Sequence, residues 1–186
     1  MGSARRRILK VTVLGDGTVG KTSLRKTYLG EGFKEGYSMT IGADFAVKYV
    51  NINDQEVIAQ IWDLAGQQRF STVRETYYRG TSACLLVFDI TQRSSFENIP
   101  SWIGELLENN SNRLVPISLI GNKSDLRDSA KDPIMPQQAE EYAEALSQWS
   151  GFTVPYVETS AKNGQNVDTA FTELLQNAVG FFDALY

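Results

Sequence analysis

The sequence predicts an α/β fold in which helices cover both faces of a mostly parallel, six-stranded sheet. Short apolar runs alternate with segments of helical periodicity along the 186 residues. A glycine-rich stretch, "GDGTVGKT", joins the first apolar run to the first helical segment. Hydrophobic residues make up 42% of the chain and charged residues 22%, as in globular domains with a full core. We therefore expect three layers, one antiparallel strand and about five helices.

The six strands are predicted where apolar runs end at turn-forming residues. Their expected ranges are 8–14, 43–51, 56–62, 83–89, 115–120 and 153–158. The second and third are separated by "NDQ" around Asn53 and Asp54, which favours a tight hairpin and makes this pair antiparallel. Helical segments lie between the other strands, which is typical of a parallel sheet.

The helices are predicted from apolar residues that recur at i, i+3, i+4 and i+7. The clearest stripe, in the last helix, comprises Val167, Ala170, Phe171, Leu174, Leu175, Ala178, Phe181 and Phe182. The segment "PQQAEEYAEAL" carries a second stripe of Ala139, Tyr142, Ala143 and Leu146. We interpret both stripes as core faces. Pro100 lies inside "SFENIPSWIGELL", so this helix is expected to kink or restart there.

Residues 1–6 are expected to be a disordered lead-in, and residues 7–186 a single domain. The net charge is −4, which gives no sign of a nucleic-acid partner. The chain has no histidine, which excludes Ser-His-Asp and Cys-His catalysis and most zinc sites. The one cysteine, Cys84, lies in the apolar run "ACLLVF" and is interpreted as a reduced core residue. No apolar run reaches the roughly 20 residues that span a bilayer, so we expect a cytoplasmic protein. We also expect the protein to be a monomer.

The stretch from Gly15 to Thr22 fits the pattern G-x-x-x-x-G-K-[ST] between a predicted strand and a predicted helix. Its glycines allow backbone N–H groups to converge on phosphate oxygens, and the following helix directs its positive end towards them. Lys21 supplies a charge for the β- and γ-phosphates, and the hydroxyl of Thr22 is a ligand for Mg²⁺. A ligand-free turn is the simpler alternative, which the combined pattern disfavours. The expected phosphate-binding residues are Gly15, Asp16, Gly17, Thr18, Val19, Gly20, Lys21, Thr22 and Ser23.

Three further motifs follow predicted strands: "WDLAGQ" at 62–67, "NKSD" at 122–125 and "TSAK" at 159–162. Ligands of open α/β sheets bind where the carboxyl ends of the strands meet, so one crevice can collect all three motifs. Asp125 can accept hydrogen bonds from the N1–H and N2 amine of guanine, whereas adenine would leave this carboxylate unpaired. In isolation, an aspartate in a loop is more often a turn or helix-cap residue.

The residues around Asp125 complete a predicted guanine site. Asn122 can join neighbouring loops, the stem of Lys123 can lie along the base, and the backbone around Ser160 can meet the guanine oxygen. The expected base-binding residues are Asn122, Lys123, Asp125, Ser160, Ala161 and Lys162.

The motif at 62–67 carries the residues expected to act at the γ-phosphate. Asp63 ends a strand beside the glycine-rich loop and is expected to hold Mg²⁺ through a water. Gly66 allows its N–H to approach the γ-phosphate. Gln67 cannot act as a base, but its amide can orient a water for in-line attack, which makes it the candidate catalytic residue. Outside this motif, Gln67 would be an ordinary surface residue.

Taken together, these residues resemble the Ras superfamily of small GTP-binding proteins, and within it the Rab branch. The resemblance runs from about residue 7 to residue 182 and rests on "GDGTVGKTSL", "TIGADF", "QIWDLAGQQRF", "YYRGT", "LVFDIT", "GNKSDL" and "ETSAK" in the family's order. It implies a P-loop GTPase fold (a G domain) that binds GTP and GDP with Mg²⁺. It also implies slow GTP hydrolysis, an exchange factor, a GTPase-activating protein and effectors, and a role in membrane trafficking.

The resemblance assigns further residues that the spacing alone does not. Thr40 matches the threonine that reaches Mg²⁺ and the γ-phosphate in the GTP state, so the expected metal ligands are Thr22, Thr40 and Asp63. Phe33 and Tyr37 join the expected nucleotide-binding residues. Residues from about 33 to 41 and from 63 to 79 match the two switch segments. An effector surface of Ile41, Phe45, Trp62 and Tyr77 is implied, although the three aromatic residues are equally compatible with ordinary core or hairpin packing.

Several alternatives stay open at this point. A guanine-nucleotide-bound scaffold that does not cycle is the main one, and an ATP-using P-loop enzyme is a weaker one that "NKSD" disfavours. No arginine lies between Phe33 and Thr40, so Arg69 and Arg74 are the nearby candidates for an internal arginine finger. The final residues "FFDALY" contain no cysteine, so we expect no lipid anchor in this chain. Peripheral membrane association would then require an additional lipidated tail.

Overall fold

A computed structural model describes residues 6–33, 36 and 39–185 of the chain. The strands are β1 (Arg6–Leu14), β2 (Ala43–Ile52), β3 (Gln55–Leu64), β4 (Ala83–Asp89), β5 (Ile117–Asn122) and β6 (Tyr156–Thr159). They form one sheet in the order β2-β3-β1-β4-β5-β6. The β2–β3 pair is antiparallel and every other pair is parallel, which confirms the predicted six-stranded sheet.

The β2–β3 hairpin forms as predicted, with Ile52 paired to Gln55 across a two-residue turn. Asn53 and Asp54 both have positive φ, 49° and 61°, which this kind of turn requires and which Asn and Asp tolerate. On the other side of the hairpin, β1 pairs in parallel with β3 and begins at Arg6, two residues earlier than predicted.

The last two strands begin later than the apolar pattern predicts. β5 starts directly after Pro116, and β6 directly after Pro155. Proline has no N–H and cannot donate within a sheet, although the carbonyls of both prolines still accept hydrogen bonds from neighbouring strands. The strands therefore start after the prolines, and β5 extends to Asn122 in the motif that was expected to follow it.

The α-helices are α1 (Lys21–Tyr28), α2 (Ser71–Tyr78), α3 (Arg93–Glu97), α4 (Ile99–Asn109), α5 (Pro136–Ser150) and α6 (Val167–Ala184). Short 3₁₀ turns cover Gln68–Phe70 and Ser124–Ser129. The number of α-helices in the described residues is six rather than about five, because the segment around Pro100 is split. α3 ends at Glu97 and α4 begins one residue before Pro100, which confirms the predicted restart.

Each face of the sheet is covered by its own apolar core. α1 and α6 pack on one face, where Phe171 stacks on Tyr28 with ring centroids 3.9 Å apart. α4 and α5 pack on the other face. Both predicted stripes lie in these cores, except that Tyr142 and the outer pair, Phe181 and Phe182, are only partly buried. In residues 6–33, 36 and 39–185, no helix combines the length and the apolar character needed to cross a bilayer.

Candidate functional site

A cavity of about 830 Å³ lies at the carboxyl edge of the parallel strands, a size typical of small-ligand sites. The loop between β1 and α1 contributes to it, together with residues that follow β3, β5 and β6. The predicted site residues on its wall are Gly17, Thr18, Gly20, Lys21, Thr22, Ser23, Phe33, Thr40, Gly66, Gln67, Asn122, Lys123, Asp125, Ala161 and Lys162. Four motifs that are far apart in the sequence therefore surround one space.

Two glycines allow close contacts around the loop that joins β1 to α1. Gly20 has a φ of 101°, and a Cβ there would lie 2.3 Å from Nδ2 of Asn122. A Cβ on Gly66 would lie 2.5 Å from the amide nitrogen of Gly17. Because Gly66 carries no side chain, the loop after β3 rests directly on the loop after β1, and the bare Gly20 lets Asn122 approach that loop. The main chain of both loops can then approach a phosphate group, as the sequence predicts.

Lys21 is buried at the first position of α1. Its ammonium group donates hydrogen bonds to the carbonyl oxygens of Gly15 and Asp16, both at 2.7 Å. Burial lowers the pKa of Lys21 to about 8, although the carboxylates of Asp63 and Asp16 act in the opposite direction. A phosphate oxygen beside this group would favour its charged form and could accept from its third N–H.

Three oxygen-bearing side chains meet beside Lys21. Thr22 Oγ1 donates to Asp63 Oδ2 at 2.5 Å and lies 2.8 Å from Thr40 Oγ1, which in turn lies 3.3 Å from the same carboxylate oxygen. Burial raises the pKa of Asp63, although the charge of Lys21 and the hydrogen bond from Thr22 oppose the shift. The other carboxylate oxygen, Oδ1, is buried and has no hydrogen-bond partner in the part of the chain that the structure describes.

This cluster fits a magnesium ion. Mg²⁺ prefers hard oxygen ligands and is held in proteins by few side chains together with water and phosphate oxygens. The described residues contain no group of three or more His, Cys, Asp or Glu side chains that could hold a metal ion by themselves. One buried carboxylate and two hydroxyls therefore form a site of the right chemistry only when a ligand supplies further oxygens.

Asn122, at the end of β5, joins three parts of the site. Its Nδ2 donates to the carbonyl of Val19 in the phosphate loop at 2.8 Å. Its Oδ1 accepts from Thr159 Oγ1 at 3.0 Å and from the main-chain N–H of Ala161 at 3.2 Å. Asn122 therefore joins the phosphate loop to β6 and the loop after it through hydrogen bonds within the protein.

The neighbouring residues present the groups predicted for base recognition. Asp125 is exposed, and its Oδ1 accepts from the hydroxyl of Ser160 at 2.6 Å. Lys123 has a φ of 69°, and its ammonium group lies 2.6 Å from Oδ2 of Asp89. Behind them, Glu158 forms an ion pair with Arg127. The loops after β5 and β6 are therefore joined both at the cavity and behind it.

Some predicted residues support the site without lining the cavity. The carboxylate of Asp16 points to α4, where it accepts from Trp102 Nε1 and from Asn98 Nδ2, both at 2.8 Å. Its main-chain carbonyl, and not its carboxylate, contacts the phosphate-loop lysine. Val19 is fully buried in the core. Tyr37 lies outside the described residues.

The two arginines considered as internal fingers occupy different surroundings. Arg69 is exposed, and its guanidinium contacts the Met39 sulfur and the ring of Phe70. Arg74 is fully buried, and its guanidinium donates to main-chain carbonyls and to Glu105 rather than towards the cavity. Of the two candidates, Arg74 is therefore not placed to act as an internal finger in this structure, because its buried guanidinium donates to the main chain and to Glu105.

The three aromatic residues of the predicted effector surface contact one another. The ring centroids of Phe45 and Trp62 are 4.7 Å apart, and those of Trp62 and Tyr77 are 5.5 Å apart. Phe45 is 45% exposed, and Ile41, the fourth member of the predicted surface, is 73% exposed, so both present apolar side chains to solvent. The three rings thus pack in a row, and the use of this row by a partner remains a prediction.

Sequence reasoning missed several residues that shape the site. Lys26, Gly32, Gly36, Met39 and Leu126 also line the cavity. Trp102 in α4 and Asn98 just before it hold the carboxylate of Asp16, some 80 positions away in the sequence. The sequence around Pro100 predicted a helix that kinks or restarts, but nothing in it indicated polar contacts with the phosphate loop.

Comparison with known proteins identifies the family to which the chain belongs. The model of the Ras family matches residues 10–179. The chain belongs to the Ras family. It is 43% identical to the Ypt/Rab-type GTPase YPT7 of Saccharomyces cerevisiae over 183 residues, which cover 96% of this chain and 85% of the relative. It is 41% identical to Ras-related protein Rab7 of Drosophila melanogaster, with 96% and 84% of the two chains covered, and 42% identical to RABG3d of Arabidopsis thaliana, with 96% and 85% covered.

The predicted family and fold class are thereby confirmed. The protein is a Rab-like small GTPase with the α/β fold of that family. Membership in the Ras family implies that it binds guanine nucleotide, and that regulators and effectors are the kinds of protein it meets.

Proposed function

We propose that this protein is a GTP-driven switch that binds GTP and GDP with Mg²⁺ and hydrolyses GTP slowly. The observation that carries the proposal is the convergence of the four motifs on one cavity, with a phosphate-type loop at one end and Asp125 at the other. GTP bound in this cavity would have its γ-phosphate at the loop end and its base at the Asp125 end, in chemically different surroundings. The similarity to Rab7-type relatives supports a role in membrane trafficking.

At the base end, the carboxylate of Asp125 accepts from the N1–H and N2 amine of guanine. The hydroxyl of Ser160 already holds one oxygen of this carboxylate. The stem of Lys123 lies along the base, and Phe33, which is 39% exposed on the cavity wall, packs against it. Adenine cannot supply matching donors, so the site favours guanine.

At the phosphate end, main-chain N–H groups of residues 15–20 and the ammonium group of Lys21 bind the β- and γ-phosphates. Thr22, Thr40 and Asp63 would hold Mg²⁺, directly or through water. The ion, when bound, neutralises charge on the β- and γ-phosphates. Oδ1 of Asp63 is buried and has no hydrogen-bond partner in the described residues. The bound ion, or a water on it, would give this oxygen the partner that it lacks.

Gln67 orients the attacking water. The water attacks the γ-phosphorus as the bond to the β–γ bridging oxygen breaks, and GDP and inorganic phosphate are released. The side chain of Gln67 lies against the phosphate loop, because a Cβ on Gly17 would be 3.3 Å from its Cγ. Because the guanidinium of Arg74 does not point into the cavity, we expect slow GTP turnover by the protein alone. A partner protein should accelerate hydrolysis on the order of 10³–10⁵-fold.

A single-turnover assay tests this function. The purified protein is loaded with GTP, Mg²⁺ is added, and the release of inorganic phosphate is followed over time. We expect slow hydrolysis, which Gln67→Ala slows further while GDP affinity is retained. Rapid hydrolysis by the chain alone, or failure to retain either GDP or GTP with Mg²⁺, would contradict the proposal.

The non-cycling scaffold is the second candidate, and the aromatic row offers a way to test it. Trp62 lies between Phe45 and Tyr77, and Tyr77 belongs to the second proposed switch segment. The difference in emission between the wild type and Trp62→Phe reports on Trp62 among the three tryptophans, and it leaves Trp102, which holds Asp16, in place. A switch predicts different Trp62 fluorescence with GDP and with a non-hydrolysable GTP analogue. Identical spectra would favour the scaffold. A nucleotide that binds two conformations of the protein equally well does not change the equilibrium between them.

A further inference from the structure

Arg74 contacts the segment that carries Gln67 through the main chain. Its Nη1 donates to the carbonyl oxygens of Ala65 and Gln67, both at 2.8 Å. These two carbonyls bracket Gly66, the residue that rests on the phosphate loop. The guanidinium thus holds the short segment at both ends, just where it contacts the loop after β1.

Glu105 on α4 fixes the other side of the same guanidinium. Arg74 Nε and Nη2 donate to the two carboxylate oxygens at 2.7 and 2.9 Å, a paired geometry that sets the orientation of the planar group. The hydroxyl of Tyr78 donates to Glu105 at 2.9 Å, and the ring of Trp102 lies 4.7 Å from the guanidinium carbon. Burial alone would lower the pKa of Arg74, but the hydrogen bonds and charge of Glu105 raise it above its ordinary value.

The phosphate loop is held by the same helix. Trp102, which lies against Arg74, donates from Nε1 to the carboxylate of Asp16, and Asn98 donates to the other oxygen of that carboxylate. α4 and the residue just before it therefore anchor both partners of the contact between Gly66 and the phosphate loop. Both sides of the contact between the segment that carries Gln67 and the phosphate loop are thus attached to the same helix region.

We propose that Arg74, fixed by Glu105, is a positioning residue for GTP hydrolysis that acts through the main chain of Gln67. The inference rests on the proposed role of Gln67 in orienting water. A misplacement of about 1 Å in such a group can slow a reaction roughly 100-fold. Loss of the guanidinium should therefore reduce the hydrolysis rate, while the groups that bind GDP stay in place.

The main test is single-turnover GTP hydrolysis by Arg74→Met/Glu105→Gln. Changing both residues avoids leaving the partly buried carboxylate of Glu105 without its cation, which could unfold the protein. We expect hydrolysis to be roughly 10- to 100-fold slower, with GDP affinity within about threefold of the wild type. Arg113→Met, which removes an exposed arginine outside both proposed switch segments, is the matched control and should hydrolyse GTP at the normal rate. A normal rate in the double variant would overturn the inference.

Epistasis with Gln67 distinguishes positioning from general damage. In a Gln67→Ala background, the change at Arg74 and Glu105 should slow hydrolysis no further, because the group it positions is already gone. A further slowing of equal size in that background would overturn the inference. If Gln67→Ala itself leaves the rate unchanged, the proposed role of Gln67 fails instead, and the two failures are thus separate.

Arg74→Lys provides a variant that keeps the charge next to Glu105. A lysine ammonium is a point donor and cannot contact both carbonyls and both carboxylate oxygens at once. We expect a folded protein with normal GDP affinity and an intermediate hydrolysis rate. A fully normal rate in this variant would show that the planar guanidinium is not needed, and would contradict the proposed geometry.

Discussion

The two ends of the cavity satisfy their polar groups in different ways. At the base end, Asn122 and Asp125 make hydrogen bonds with residues of the loop after β6 in the protein alone. At the phosphate end, Thr22, Thr40 and Asp63 contact one another, and one oxygen of Asp63 has no partner in the described part of the chain. One end is assembled from protein groups, whereas the other lacks a partner that a ligand can supply.

The two ends of the cavity are therefore expected to act differently: the base end selects the nucleotide, and the phosphate end responds to the γ-phosphate. A preassembled carboxylate selects its base without any change in the protein, since its orientation is already fixed. A cluster that gains ligands only from the γ-phosphate side can respond to the presence of that phosphate. Substitutions at the base end should therefore change which nucleotide binds, and those at the phosphate end should change how binding depends on Mg²⁺.

The largest effect is expected for Asp125→Asn. An asparagine amide presents an N–H where guanine presents its own donors, so one buried donor is left without an acceptor. Affinity for GDP should fall on the order of 10⁴-fold, and xanthosine diphosphate, which has a carbonyl oxygen in place of the N2 amine, should bind better than GDP. Titration of both nucleotides measures this directly.

Asp128→Asn is the matched control for that substitution. Asp128 is exposed in the same 3₁₀ turn as Asp125 but does not line the cavity. Its replacement should leave both affinities unchanged. Unchanged GDP binding in Asp125→Asn would instead show that the carboxylate does not select the base, and the proposed contrast between the two ends would be wrong.

A smaller effect is expected for Asp63→Asn at the phosphate end. The amide keeps the size of the side chain but removes the charge that favours Mg²⁺, so affinity for Mg²⁺ in the presence of GDP should fall roughly 10- to 100-fold. The ratio of GDP affinities with Mg²⁺ and with EDTA measures the change. Without Mg²⁺, the variant and the wild type should bind GDP much more alike.

The control for this prediction is Asp54→Asn in the β2–β3 turn. Asp54 is exposed and far from the cavity wall, and asparagine also tolerates its positive φ of 61°. This variant should keep the full effect of Mg²⁺. An equal loss of GDP affinity with and without Mg²⁺ in Asp63→Asn would show that Asp63 supports the loop rather than the ion.

Much of the fold could be predicted because its signals are local. The bounds of strands β1, β3 and β4 lie within two residues of those that apolar periodicity predicts, and the core stripe of α6 lies where it predicts. The starts of β5 and β6 could not be placed by hydropathy, since Pro116 and Pro155 continue an apolar run but cannot donate to a sheet. Here the covalent structure of one residue decides the boundary, and the hydrophobic pattern does not contain that information.

The site was predictable only where a motif carries its own chemistry. The glycine-rich loop and Asp125 indicate their ligands through residue type and position, and both lie on the cavity as expected. The sequence could not show that Arg74 would turn away from the cavity, because its partner Glu105 is 31 positions away on another helix. Long-range contacts of this kind depend on packing that a single motif does not encode.

The smallest effect is expected behind the base end, at Tyr156. Its hydroxyl donates to Glu158 at 2.8 Å, and Glu158 also pairs with Arg127, whose Nη1 donates to the Ile134 carbonyl at 2.9 Å. Burial, the main cause, raises the pKa of Tyr156, so the hydroxyl stays protonated as a donor across the neutral range. Tyr156→Phe should reduce the free energy of unfolding by about 1 kcal/mol, because one hydrogen bond to a carboxylate is lost.

Urea unfolding with and without GDP decides what this network does. If the base end is preassembled, Tyr156→Phe lowers stability equally in both conditions, since the affinity for GDP changes less than threefold and the stabilisation by GDP is kept. Tyr49→Phe, which removes an exposed hydroxyl from β2, should change neither curve. A variant that loses GDP affinity at unchanged stability would mean that the network orders the loops only when the base binds, and that both ends of the cavity depend on the nucleotide.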